Sequence, residues 1–188
     1  GTQAEMVLPD GTRRPFSSMA VRATEYTVGA GGQARMPATL PVTSAYTYAV
    51  ELSADEALAA GAIQVSLSRR VPLYIDNFLE LPVGNTVPAG YYDRERGTWV
   101  ADQNGVVVKI LSTAGGAATL DINGDNSVDT GAALDALGIT GGELTQLASL
   151  YSAGSTVWRI GIPHFTPWDC NKLPTFPPQD DPQPEGPF

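Results

Sequence analysis

Tyr91-Tyr92-Asp93-Arg94-Glu95-Arg96-Gly97-Thr98-Trp99-Val100 sets two runs of aromatic and β-branched residues on either side of a charged tip that ends in glycine. That pattern reads as a β-hairpin, because both flanks suit a pleated, half-buried surface and the tip is soluble and turn-forming. A few residues on, Asn104-Gly105 stands between Trp99-Val100 and the apolar run Val106-Val107-Val108-Lys109-Ile110-Leu111. Asn-Gly is the dipeptide favoured in two-residue hairpin turns, since both residues tolerate positive φ. The expectation from this stretch is a set of antiparallel strands joined by tight turns.

Working outward, the period stays close to two. Val21, Ala23, Glu25 and Thr27 alternate with Arg22, Thr24, Tyr26 and Val28, as in a half-buried strand. Gly31-Gly32, Pro37 and Pro41 mark a long connection to the next strand, in which Tyr46, Tyr48, Val50 and Leu52 share a face. Ile63, Val65 and Leu67 share another face, as do Val71, Leu73 and Ile75 beyond the Arg69-Arg70 pair. Val157-Trp158-Arg159-Ile160-Gly161-Ile162 alternates again near the end. Two short helices interrupt the strands. Ser53 and Glu56 have capping-box spacing before Ala57-Leu58-Ala59-Ala60, with Gly61 as the stop; Thr140 and Glu143 repeat the device before Leu144, Leu147, Ala148 and Tyr151. The fold expected is mainly β: a sandwich-like antiparallel domain with two short covering helices. Residues 1–20, weakly patterned apart from a Pro9-Asp10-Gly11 turn, read as an N-terminal extension, and 21–171 as the β-rich module. Residues 172–188 carry six prolines and three acids and read as a Pro-rich acidic linker leading to something further.

Composition narrows the function classes. The 188 residues include 20 glycines and 15 prolines, which break long helices and favour short strands. Eleven basic against twenty acidic residues leave a net charge of -9, which argues against nucleic acid or an anionic membrane surface as partner. No run of about 18 apolar residues offers a transmembrane span, so membrane insertion is not expected. One cysteine and one histidine rule out an internal disulfide and any cysteine-cluster zinc site.

The most specific local pattern is Asp121-Ile122-Asn123-Gly124-Asp125-Asn126-Ser127-Val128-Asp129. Oxygen-bearing side chains at Asp121, Asn123, Asp125, Ser127 and Asp129 fall at relative positions 1, 3, 5, 7 and 9, the spacing that wraps a loop around Ca2+. Position 12, where such loops place a bidentate acid, is Ala132, position 6 is Asn126 rather than glycine, and Asp135 is a spare acid nearby. The competing reading is an Asx-turn-rich surface loop that binds nothing. His164 and Cys170, with Asp169 between them, contain the residue types of a cysteine hydrolase, but Pro163, Pro167, Phe165 and Trp168 favour a structural strand exit. Ser17-Ser18 lacks a nucleophile-elbow frame, and Ala114-Gly115-Gly116 lacks the lysine of a phosphate loop. Tyr91, Tyr92, Trp99, Trp158 and Trp168 suit core packing first and a carbohydrate or peptide groove second. No catalytic residue is expected.

Longer blocks carry a resemblance. Val21-Arg-Ala-Thr-Glu-Tyr-Thr-Val28, Met36-Pro37, Leu40-Pro41, Tyr46-Thr-Tyr-Ala-Val-Glu51 and Asp55-Glu56-Ala57 begin it. Pro72-Leu-Tyr-Ile-Asp-Asn-Phe78, Pro82-Val-Gly84, Val87-Pro88-Ala-Gly-Tyr-Tyr-Asp-Arg94 and Trp99-Val100 continue it. Asp102, Asn104-Gly105, Val108-Lys109, Trp158-Arg159 and His164-Phe-Thr-Pro-Trp-Asp-Cys-Asn171 complete it. Together they resemble a segment of large bacterial Rhs (YD-repeat) proteins lying upstream of the YD-repeat shell. The resemblance spans roughly 21–171 and implies a non-catalytic structural module of a polymorphic-toxin or cell-surface protein, secreted or at the cell surface. Its partners would be the remaining domains of the same polypeptide, on or inside whose β-shell it would pack. Relatives carry a fuller calcium-type repeat where this chain has Asp121–Asp129, and Ala132 departs from it. The alternative expectation is an extracellular adhesion or ligand-binding module with a cell-surface ligand, stabilised by calcium.

Overall fold

The computed structural model describes residues 2–26, 31–41 and 47–171. The expectations placed on Thr27, Val28, Tyr46 and the linker 172–188 lie outside the described residues. Two antiparallel sheets pack together as a β-sandwich. The first contains β1 (Ala4–Val7), β2 (Arg13–Pro15), β5 (Gln64–Asp76), β6 (Thr86–Val87), β9 (Gly105–Ser112), β10 (Thr119–Asp121) and β11 (Thr156–Phe165), ordered β10-β9-β11-β5-β1-β2 with β6 on β9. The second is β3-β4-β12-β7-β8, built from β3 (Val21–Glu25), β4 (Tyr48–Ala54), β7 (Ala89–Asp93), β8 (Thr98–Ala101) and β12 (Pro167–Cys170). Residues 4–7 and 13–15, read from sequence as part of an extension, are therefore strands of the first sheet, with β1 paired along β5.

One continuous segment joins the two sheets. β11 runs through the first sheet between β5 and β9, the chain turns at Thr166, and β12 enters the second between β4 and β7. Trp158, Ile160, Ile162 and Phe165 from one side meet Trp168 and Cys170 from the other in a single core, joined there by Val50, Leu52 and Val107. Period-two alternation produces this: every second side chain of a strand faces the same way. The intervening Val157 and Arg159 point to the opposite face.

One turn reading holds and one changes. The Tyr91–Val100 hairpin forms as β7–β8, with Gly97 at φ 64° and Asp93 Oδ1 accepting the N–H groups of Glu95 and Arg96 at 3.0 Å each. Asn104-Gly105, by contrast, makes no hairpin: β8 belongs to the second sheet and β9 to the first, so the dipeptide sits where the chain changes sheet. Gly105 is needed for close approach, since a Cβ there would lie 2.6 Å from the Arg159 carbonyl oxygen and 2.8 Å from Ile160 Cγ1. The two strands expected around Arg69-Arg70 are one, β5. Pairing with β11 resumes across a bulge in which residues 67–70 stand opposite Pro163, which has no N–H to contribute to a ladder. Ile63 is exposed rather than buried with Val65, and β3 is exposed along its whole length rather than half-buried.

The first sheet is covered on its outer face as well. Val108, Ile110, Leu120 and Val157 pack there against Ile139, Leu144 and Leu147. Among the described residues the α-helices are three, where two were expected: α1 (Asp55–Ala59), α2 (Ala132–Ala136) and α3 (Gly141–Leu150). The capping box at Ser53 does not form. Ser53 is a strand residue opposite Arg22, α1 starts without a side-chain cap, and Glu56 Oε2 accepts the Ala20 N–H at 2.9 Å. At α3 half of the box forms: Thr140 Oγ1 accepts the Glu143 N–H at 3.2 Å. The Glu143 carboxylate does not reach back. It takes Arg159 through Nε at 2.7 Å and Nη2 at 3.0 Å, together with the Tyr74 hydroxyl. Burial and the donated hydrogen bond to this carboxylate push the Tyr74 pKa upward. Arg159 and Glu143 are both about nine-tenths buried, so removing one charge strands the other in low dielectric. Arg159→Met alone is expected to cost about 3–5 kcal/mol in urea unfolding, whereas Arg159→Met with Glu143→Leu recovers most of that loss.

Candidate functional site

Asp121 sits at the root of the 121–129 loop, buried at the end of β10. Its Oδ1 accepts the N–H groups of Asn123 at 3.2 Å and Gly124 at 2.7 Å, and its Oδ2 accepts that of Asn126 at 2.9 Å. Asp129 closes the loop, accepting the Ile122 N–H at 2.7 Å and the Asn123 amide at 3.2 Å. Asn123 and Asp125 each accept from the backbone two residues on, the Asx-turn pattern. Gly124 and Asn126 hold φ of 90° and 60°, the conformations expected of positions where a tight path is needed. Gly124 also lacks room for a Cβ, which would meet the Val83 carbonyl oxygen at 2.7 Å. All five residues proposed as calcium ligands therefore share one ordered loop, with Asn123, Asp125 and Ser127 exposed. Ala132 opens α2, and Asp135 lies on that helix beside a different cleft. Among the described residues no group of three or more His, Cys, Asp or Glu side chains is arranged to hold a metal ion.

His164 and Cys170 are not brought together as a catalytic pair. The imidazole stands edge-on to Tyr91 at 4.6 Å between ring centres and 5.4 Å from Trp168, with Nδ1 3.3 Å from Thr166 Oγ1. The Cys170 thiol is fully buried in the core between the sheets, where desolvation, and then the neighbouring Asp169, push its pKa well up, away from a reactive thiolate. Trp158 and Trp168 are likewise core residues, while Tyr92 and Trp99 stack at 5.5 Å on the hairpin and the Trp99 indole donates to the Ala38 carbonyl at 3.3 Å.

The concave surfaces lie elsewhere. A cleft of about 390 Å³ opens between the sheets beside α1, with Ala57, Leu58, Ile63 and Phe165 along it and the Glu51–Arg94 ion pair (2.5 Å) on its rim. Two clefts of about 430 and 530 Å³ adjoin on the outer face of the first sheet and share Arg69, Arg70, Pro72 and Arg159. Their cations are engaged: Arg70 holds Asp102 through two bonds of 2.7 Å and the Gly161 carbonyl at 2.6 Å, and Arg69 donates to Thr2. These polar partnerships escaped the sequence reading because each joins residues far apart in the chain. Asn77 is another: it accepts from the Trp158 indole at 2.8 Å and the Leu81 N–H at 3.0 Å. No helix among the described residues is long and apolar enough to cross a membrane.

No family model, no curated protein and no solved structure matches the chain.

Burial holds the His164 pKa below the ordinary 6.5, against the opposing pull of Asp102. The unfolded chain then binds the proton first as pH falls through 6.5, so stability declines from there toward the lower folded pKa. Chemical denaturation at a series of pH values is expected to show that decline in the native protein and a flatter profile over the same interval in His164→Gln.

Proposed function

We propose that this chain is a non-catalytic structural module of a large bacterial Rhs-type polypeptide, secreted or displayed at the cell surface, which packs on or plugs the YD-repeat β-shell. The observation that carries this reading is where the resembling blocks fall. Pro72–Phe78 lies on β5 and the loop that follows, Tyr91–Val100 forms the β7–β8 hairpin, and His164–Asn171 covers the end of β11 and all of β12. These are central and edge strands of the two sheets and, in β11–β12, the segment that joins them, so the resembling residues serve the scaffold rather than a reaction. The side chains with catalytic potential are spent on structure: Cys170 in the core, His164 in an aromatic stack, Glu143 and Arg159 on one another. The sandwich gives such a module a rigid body, and the cleft beside α1 gives it an apolar surface on which neighbouring domains can bear. Limited proteolysis of the parent polypeptide tests the proposal. Cleavage near Lys172 is expected to release a compact body containing residues 2–171, and that body should rebind the separated YD-repeat portion; a fragment that fails to fold, or shows no affinity for the shell, refutes it.

A second reading, an extracellular adhesion or ligand-binding module stabilised by calcium, is favoured by the 121–129 loop, whose buried Asp121 and left-handed Gly124 and Asn126 arrange oxygen-bearing side chains around one short turn. Under this reading millimolar calcium raises the melting temperature, and Asp125→Asn, which keeps the Asx-turn acceptor for the Ser127 N–H but removes the charge, sharply reduces the rise with little change in the metal-free value. A melting curve indifferent to calcium removes it.

A further inference from the structure

Strand edges expose hydrogen-bonding groups, and proteins ordinarily blunt them. Among the described residues, both ends of the first sheet are protected. The first sheet ends on β2, whose Pro15 lacks an N–H, and on β10, where the Leu120 carbonyl takes the Asp129 N–H at 2.9 Å. The second ends on β8, beside which the Ala38 carbonyl receives the Trp99 indole.

β3, at the other end of the second sheet, is different. Tyr26 donates its N–H to the Ala49 carbonyl and Asp55 donates to that of Ala20, both at 2.9–3.0 Å. Because an antiparallel ladder alternates, Arg22 and Thr24 turn their backbone groups toward β4, while Val21, Ala23 and Glu25 turn theirs outward. Among the described residues no hydrogen bond reaches those outward groups. The side chains tell the same story. Val21 and Ala23 stand opposite Ala54 and Leu52 and so share the core-facing side of the sheet. Yet the core stops at β4, leaving Val21 52% and neighbouring Met19 37% exposed.

We propose that the occupant of this edge is a second copy of the chain, with the two β3 strands pairing antiparallel about a two-fold axis at Ala23. The hydrogen-bonding parity fixes the register: Ala23 meets its own counterpart, Val21 meets Glu25, and Arg22 meets Thr24. The strand is self-complementary in that register. No two like charges face each other, the smallest side chain sits on the axis, and the closed symmetry consumes both free edges at once. Pairing merges two five-stranded sheets into one and lays the aliphatic stem of Glu25 beside Val21 on each side of the axis. The interface does not depend on an Rhs-type parent.

Sedimentation velocity from about 10 µM to about 1 mM, a range suited to weak association, is the direct test. The expected result is a concentration-dependent rise from monomer toward dimer. Ala23→Pro removes an outward N–H from both copies without touching a bond to β4, and weakens association at least about tenfold. An unchanged melting temperature for the diluted variant certifies its fold. Ala23→Lys, which places two cations on the axis, is a second variant expected to weaken association. Amide exchange of Val21, Ala23 and Glu25 slows as concentration rises, whereas that of Arg22 and Thr24 does not change in step. A monomer throughout the range, or a dimer indifferent to both substitutions, overturns the proposal.

Discussion

The structure depends on one segment being shared by two sheets. Residues 156–170 supply the centre of the first sheet, turn once at Thr166, and supply the centre of the second. Trp158 and Trp168, both fully buried, therefore belong to the same core although they sit in different layers. Large aromatic side chains remove much apolar surface from water, and a short connection holds the two burials in fixed relation. Pro163 and Pro167 stiffen the corner, and the Trp168 indole donates back to the His164 carbonyl at 3.3 Å across it. Sliding one sheet over the other would break this corner first.

A second constraint is polar. Covering the outer face of the first sheet with α3 buries Arg159, which sits where alternation along β11 puts it, on the side away from the main core. Glu143 of α3 neutralises it, and Tyr74 of β5 completes the cluster. A buried pair of this kind adds little net stability relative to apolar packing, but it fixes the partner and register of the helix, because any displacement leaves a charge unpaired. Asn77 plays a comparable part at the end of β5, joining the Trp158 indole to the backbone of Leu81.

The single thiol, Cys170, is buried in the core, and the single imidazole, His164, stands against Tyr91 and Trp168. What the surface offers instead is shape: an apolar cleft beside α1, clefts over the outer face, an ordered oxygen-rich loop and an open strand edge. Under the role proposed above, these are the surfaces a docking body would use. The loop was the part of the candidate site legible in the chain, because Asx turns and left-handed glycine act within a few residues. The clefts were not legible, because their walls come from β4, β5 and β11 together.

Alternation of apolar and polar side chains determined, without help, that this protein is an antiparallel sandwich, and local turn chemistry determined the β7–β8 hairpin and the cap of α3. Strand partners were another matter. The Asn104-Gly105 pair has the composition of a hairpin, yet it spans two layers because Gly105 must pass within reach of the Arg159 backbone. The bulge at 67–70, the diversion of Glu143 from its own helix cap to Arg159, and the exposure of β3 were likewise decided in three dimensions. The physical reason is the same in each case. Period and turn propensity act over a few residues, whereas which surfaces meet, and which are left over, depends on the free energy of the whole packed core.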